Sequence, residues 1–224
     1  SELQIIDSFV KVDEAVAKMA AIRDAFGNEV DVGIDFHGRV HKPMAKVLAG
    51  ALAPYRPLFL EEAVQADQND SLIELARHTT TPIATGERLT TKYEFYNILR
   101  LGAASILQPA LGRVGGIWEA KKIACIAEVF GAQVAPHLYA GPIEWAANIQ
   151  LSLTLPNFLI LETIGTGGGF HSQLVKSDMS WDAGYVIPPS KPGLGVELDE
   201  ELARQHHYTA DKLHLTMARN EFTP

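Results

Sequence analysis

Six side chains able to do acid, base or metal chemistry stand at the ends of apolar runs in this sequence: Asp35, His37, Glu61, Glu87, His137 and Glu162. The run Val32-Gly-Ile-Asp35-Phe-His37 ends in an acid and an imidazole two positions apart. On a strand both would point the same way, because successive side chains alternate. Asp35, Glu61 and Glu87 are carboxylates at equal spacings of 26 residues. Brought together they would raise one another's pKa unless a cation lay between them, and three oxygen ligands with room for water and substrate suit Mg²⁺. His37 and His137 lie on well-separated runs, where two imidazoles could flank a metal-held substrate as general acid and base near neutral pH. By the same alternation Glu62 is expected to point into the wall behind Glu61 and not to ligate. His41, His78 and His171 lack such a context and read as surface or capping residues.

The elements that must position these groups follow a strict rhythm. An amphipathic helix is expected from Val12 to Phe26, with Asp13 as N-cap and Gly27 beyond its end. Apolar runs at Val30–Asp35, Leu58–Glu61, Pro82–Glu87, Ser105–Gln108, Gln133–His137 and Phe158–Glu162 read as six strands. Between them the patterns Pro43–Leu52, Leu72–Arg77, Lys92–Leu101, Ile117–Phe130 and Ile143–Leu155 read as helices. Strand-helix alternation with short connections gives a parallel sheet, either open and doubly wound or closed as a (β/α)8 barrel. A reactive group at nearly every C-terminal strand end favours the barrel, which gathers those ends at one mouth. The expected architecture is therefore α/β, the C-terminal portion of a TIM barrel with about six β/α units over residues 1–170. A polar tail over 171–224 would pack outside the barrel or fill out its wall.

Composition narrows the function classes. The chain has 224 residues, 47% hydrophobic and 21% charged, enough for one sizeable core. A formal charge of -8 argues against a nucleic-acid partner, which needs clustered cations. The single cysteine, Cys125, excludes an internal disulfide and fits a reducing compartment. There is no apolar run long enough to span a bilayer and no signal-peptide pattern, so a soluble cytoplasmic protein acting on small molecules is expected. The glycine run Gly165-Thr-Gly-Gly-Gly169 lacks the Lys-Ser/Thr pair of a phosphate loop and reads as a flexible connection.

Taken in order, Asp35-Phe-His37, Leu60-Glu61-Glu62, Gly86-Glu87-Arg88, Leu107-Gln108-Pro109, Gly115-Gly116, Ala135-Pro136-His137, Glu162 and Lys191-Pro-Gly-Leu-Gly195 resemble the barrel domain of the enolase superfamily. Within it they look most like the mandelate racemase subgroup and its galactonate dehydratases. The resemblance implies that Asp35, Glu61 and Glu87 bind Mg²⁺, which holds the carboxylate of a sugar acid. It further implies that His137 takes the C2 proton, with the metal stabilising the enediolate, and that His37 protonates the departing 3-hydroxyl to give a 2-keto-3-deoxy acid. Glu162 would hydrogen-bond the substrate carboxylate.

Two departures from the family pattern stand out. The aspartate that follows Leu-Gln-Pro and orients the base histidine is Ala110 here, a nearby histidine is Arg113, and the proline after the glutamate pair is Ala63. The family barrel also has two strands before that of Asp35 and a separate capping domain, neither of which this sequence contains. The resemblance thus implies a fragment, a subunit completed by a second chain, or a rearranged fold, with homo-oligomers common in the family. A racemase, epimerase or cycloisomerase of a 2-hydroxy acid shares the proton abstraction and is the alternative enzyme reading. A non-catalytic metal-binding remnant or partner subunit is the alternative outside catalysis.

Overall fold

The alternating apolar and amphipathic segments resolve, in a computed structural model, into a parallel α/β array followed by small antiparallel ladders. The structure describes residues 5–65, 68–163 and 169–207. Of these, 5–137 and 155–160 form one compact unit, and 138–154 with 161–207 form another.

In the first unit the chain runs through α1 (Phe9–Phe26), β1 (Ile34–Asp35), α2 (Lys42–Leu52), a 3-10 turn (Ala53–Tyr55), β2 (Leu60–Glu61), α3 (Asn69–Ala76) and β3 (Ile83–Thr85). It continues through α4 (Lys92–Arg100), β4 (Ile106–Leu107), the short α5 (Leu111–Val114), α6 (Ile117–Val129) and β5 (Gln133–Val134). Local chemistry sets these boundaries. Pro43 occupies the first turn of α2, where its missing N–H costs nothing. Thr91 and Glu94 form a reciprocal capping box on α4. Helix α1 begins earlier than the sequence pattern places it, with Ser8 and not Asp13 at the N-cap, because Ser8 is already extended and its carbonyl accepts from Val12 N. At the other end of α1, Arg23 donates to the carbonyls of Tyr55, Arg56, Gly27 and Val30, which fixes the loop leading into β1.

The five strands pair in sequence order, all parallel, with Asp35 opposite Glu61, Glu61 opposite Ala84, Thr85 opposite Leu107 and Leu107 opposite Val134. This register brings the C-terminal ends of neighbouring strands level. Leu48, Leu52, Leu60, Leu75, Phe95, Leu107 and Ile123 are fully buried. Ala84, Ile106 and Ala135 form a smaller cluster with Phe59 and Leu159 packed against it.

The expected sixth strand is much reduced. Phe158 makes a single parallel bridge to Val134, and residues 159–162 form no ladder. Asn157 secures this bridge by donating its side-chain amide to the carbonyls of Ala124 and Ala132.

The second unit contains α7 (Pro142–Ser152), α8 (Phe170–Leu174), β6 (Val175–Ser177), β7 (Ser180–Asp182), β8 (Tyr185–Ile187), β9 (Val196–Leu198) and α9 (Glu200–Gln205). Strands β6 and β9 form one antiparallel pair, β7 and β8 another. Leu138, Trp145 and Ile149 make its core, with Leu161, Met179, Trp181 and Val186 packed against them. The part of the tail expected to be merely polar thus has regular structure of its own. Most of the glycine run, residues 165–168, lies outside the described residues. No described helix is long and apolar enough to cross a membrane.

Candidate active site

The strand ends of the first unit carry a linked set of charged side chains. Strand β1 stops at Asp35, and the chain turns at once: the His37 backbone N–H donates to Asp35 Oδ1 at 2.6 Å, and His37 adopts a positive φ of 53°. Its side chain returns toward the strand, so that Nδ1 lies 3.3 Å from Asp35 Oδ2 and 3.8 Å from Glu87 Oε1. The sequence pattern brings these two residues together by strand alternation, whereas the structure does so by a turn stabilised by the Asp35 carboxylate.

Glu61 closes β2 between Asp35 and Ala84 in the register. Glu62 departs from expectation. It stands beyond the two-residue strand, at a φ of 43°, and alternation no longer dictates its direction. Its carboxylate is buried, and with Asp35 and His37 it offers three ligand atoms all within 4.8 Å of one another.

Glu87 has charged neighbours on both sides. Gly86 before it has a φ of 149°, and a Cβ at that position would lie 2.7 Å from the Gln108 backbone nitrogen. Only glycine allows the chain to pass that closely, and the passage brings Glu87 against the next strand's loop. Glu87 is 4% exposed. One carboxylate oxygen lies 3.3 Å from His137 Nδ1, and the other lies 3.4 Å from Arg88 Nη2 and 3.8 Å from His37 Nδ1. Arg113 Nη1 donates to the Glu87 carbonyl at 2.6 Å. His137, buried, is bridged in parallel fashion to Ala110.

Burial raises the Glu62 carboxyl above its usual range, and the neighbouring Glu87 adds to the rise, while Arg88 opposes it. Asp35 is likewise raised by burial, against the His37 imidazole, which lowers it. Carboxyls pushed up by burial and by one another mark a place where an additional cation is favourable. The donor set, all oxygen except for the imidazole, fits a hard divalent ion such as Mg²⁺.

In the second unit, Glu162 Oε2 accepts a hydrogen bond at 2.7 Å from the backbone N–H of Leu138, the residue that follows His137 in the chain. Among the sequence-selected residues, the structure therefore links Asp35, His37, Glu87 and His137 directly and places Glu61 beside Asp35 in the register. Three further residues stand close to these groups: Glu62, which the sequence pattern expects in the wall and not as a ligand, and Arg88 and Arg113, to which the pattern gives no role at the site. A signal for two of them existed, since Glu62 and Arg88 repeat the 26-residue spacing of Glu61 and Glu87 one position on.

The profile of the enolase C-terminal domain-like family matches residues 3–202. The chain belongs to this family. It is 46% identical over 207 residues to the D-galactonate dehydratase of Ralstonia pickettii (strain 12J), covering 90% of this chain and 54% of that protein. To the D-galactonate dehydratase of Cronobacter sakazakii it is 45% identical, covering 89% and 54%. Among solved structures, a putative mandelate racemase/muconate lactonizing enzyme from Burkholderia SAR-1 superposes with a TM-score of 0.89 at 48% identity, covering 95% of this chain and 53% of that one. A mandelate racemase/muconate lactonizing enzyme from Sulfitobacter sp. gives a TM-score of 0.88 at 51% identity, covering 94% and 52%. The chain thus spans about half the length of the curated relatives it matches. These neighbours make the parallel array a portion of the enolase-superfamily barrel, in agreement with the fold expected from the strand ends.

Proposed function

We propose that this chain carries the metal-binding and acid-base residues of a magnesium-dependent sugar-acid dehydratase, a hydro-lyase acting on a galactonate-like aldonate. The observation that carries this reading is the position of Glu87, whose carboxylate lies within 3.8 Å of His37 on one side and 3.3 Å of His137 on the other. Two imidazoles that flank a carboxylate at the strand ends suit a reaction in which one proton is removed and another delivered.

Asp35, Glu61 and Glu87 would hold Mg²⁺. When bound, the metal supplies Lewis-acid stabilisation of the negative charge that develops on a substrate carboxylate as its α-proton leaves. His137, enclosed and therefore shielded from bulk water, would accept the proton from C2. His37, the more open of the two with 41% of its side chain exposed, would deliver a proton to the 3-hydroxyl so that it leaves as water. The product is a 2-keto-3-deoxy acid. Glu162, held by Leu138 N–H, would hydrogen-bond the substrate carboxylate. The edge strand β1 pairs only with β2 in the described sheet. Together with the half-length match to relatives, this supports a working enzyme completed by further polypeptide, in the same chain or a second one.

One observation favours the non-catalytic reading. His137 is bridged to Ala110, where a carboxylate would orient and charge-stabilise a base imidazole. The test is to measure native mass, Mg²⁺ binding by calorimetry and 2-keto acid formation across a panel of aldonates. Mg²⁺-dependent product from a galactonate-like acid is expected. Tight Mg²⁺ binding without product from any aldonate would overturn the dehydratase assignment in favour of a metal-binding partner subunit.

A further inference from the structure

Arg88 reaches two of the carboxylates at once. Its Nε lies 3.0 Å from Glu62 Oε2, its Nη2 lies 3.4 Å from Glu87 Oε1, and the same nitrogen is 3.4 Å from the His37 carbonyl. Both acids are nearly inaccessible, with side-chain exposures of 5% each, while the Arg88 side chain is 34% exposed. The guanidinium therefore plugs the cluster from the solvent side, where its planar fork spans two anions that are adjacent in space but belong to different strands. A lysine has one charged nitrogen and no fork, so it could serve one carboxylate well but not both. The chain enforces the arrangement from the other side too, because Arg113 holds the Glu87 main-chain carbonyl and the Gly86 passage fixes the backbone behind it.

We infer that Arg88 is a positioning residue for the divalent-cation site: by clamping Glu62 and Glu87 together it sets the direction in which Glu87 presents its carboxylate to the metal. This rests on the Mg²⁺ site proposed above. Two physical effects of Arg88 oppose one another. Its positive charge repels an incoming cation, so charge alone predicts that its removal tightens Mg²⁺ binding. Its clamp pre-organises the ligands, so geometry predicts that its removal weakens binding, by about 10–100-fold for a residue that orients a ligand. The clamp prevails in this inference because both acids are buried, where a misdirected carboxylate has no water to compensate it.

The sign of the change decides the matter. Mg²⁺ affinity is measured by calorimetry on the 224-residue chain for wild type, Arg88→Lys and Arg88→Met, with thermal denaturation as a parallel readout of folding. Arg88→Lys keeps the charge and loses the fork, and about tenfold weaker binding at near-unchanged Tm is expected. Arg88→Met should weaken binding further despite the relief of repulsion. If Arg88→Met leaves Glu62 uncompensated and fails to fold, the neutral pair Glu62→Gln with Arg88→Met removes that burden, and it should bind Mg²⁺ about tenfold more weakly than Glu62→Gln alone. Affinity equal to or tighter than wild type in any folded Arg88 variant overturns the inference while the metal site stands. No Mg²⁺ uptake by the wild-type chain overturns both.

Discussion

The strand ends of the parallel sheet divide into two halves of unlike character. The half built from β1, β2 and β3 is crowded with charge: Asp35, Glu61, Glu62 and Glu87, answered by Arg88 and His37. The half built from β4 and β5 offers Gln108, Ala110 and His137, with no carboxylate of its own at these positions. Arg113 joins them by donating to the Glu87 carbonyl, and so does the Glu87 side chain. Glu87 stands on the acidic half, yet one of its oxygens lies against His137 of the other. The residues proposed to hold the metal all stand on the first half, whereas the imidazole of His137 has its anionic neighbour, Glu87, on the other. Any carboxylate asked to serve a metal and an imidazole N–H at once serves each less independently, since both draw on the same oxygen lone pairs.

The strongest way to break this division is to remove the shared residue. Glu87→Gln should abolish Mg²⁺ binding, a loss of at least about 100-fold, because a neutral amide replaces a proposed metal ligand and the charged neighbour of His137 at once. In the same variant the NMR resonances of the His37 and His137 rings should both move, since Glu87 contacts both. A calorimetric Mg²⁺ affinity within a few-fold of wild type would show that the acidic half binds metal without Glu87 and that the two halves are not joined through it.

A smaller effect is expected from the backbone that brings Glu87 to this position. Gly86→Ala places a Cβ 2.7–2.9 Å from main-chain atoms of Gln108, and demands a φ of 149° that an L-residue adopts only under strain. Overpacking of this kind costs about 1–3 kcal/mol, and the backbone strain adds a comparable amount. A fall in Tm of roughly 5–15 °C should follow, read by thermal denaturation. An unchanged Tm would mean that the β3 and β4 ends separate easily, and that the contact between Glu87 and His137 is not enforced by the chain.

How much of this was legible before the structure depended on the range over which each rule applies. Asp35, Glu87 and His137 were recognisable because each follows an apolar run, and a parallel sheet brings such ends level. The alternation rule failed one residue later. Strand β2 ends at Glu61, so Glu62 obeys its own positive φ and joins Asp35 and His37, where strand geometry would have sent it the other way. His37 came out near Asp35 for a reason the strand pattern does not contain, a turn held by the Asp35 side chain. The ladder between β6 and β9 pairs Val175 with Leu198 across a long intervening segment, and no local periodicity announces a partner at that distance. Likewise Phe158–Glu162 has the composition of a strand, but a strand exists only where a neighbour supplies the ladder, and here that is the single bridge at Val134.

The finest test of the two halves is to give the His137 half its own acid. Ala110 is buried and lies opposite His137 in the parallel bridge, so an aspartate there would project a carboxylate among the groups around the imidazole. A nearby carboxylate favours the protonated imidazole and fixes its ring, which together raise its capacity to accept a proton from carbon. Ala110→Asp should therefore increase solvent exchange of the substrate C2 proton about tenfold, measured by NMR in deuterated buffer with Mg²⁺ and an aldonate. Ala110→Asn, with the same shape and no charge, should give little or no gain and separates the electrostatic effect from packing. If Ala110→Asp folds and exchange does not rise above that of Ala110→Asn, then Glu87 already suffices as the anion beside His137, or His137 is not the base. Repeating the comparison on Glu87→Asp, which keeps the charge but shortens the reach toward His137, distinguishes these. A gain from Ala110→Asp that appears only in that background identifies Glu87 as the native partner, and no gain in either background removes His137 from the proton transfer.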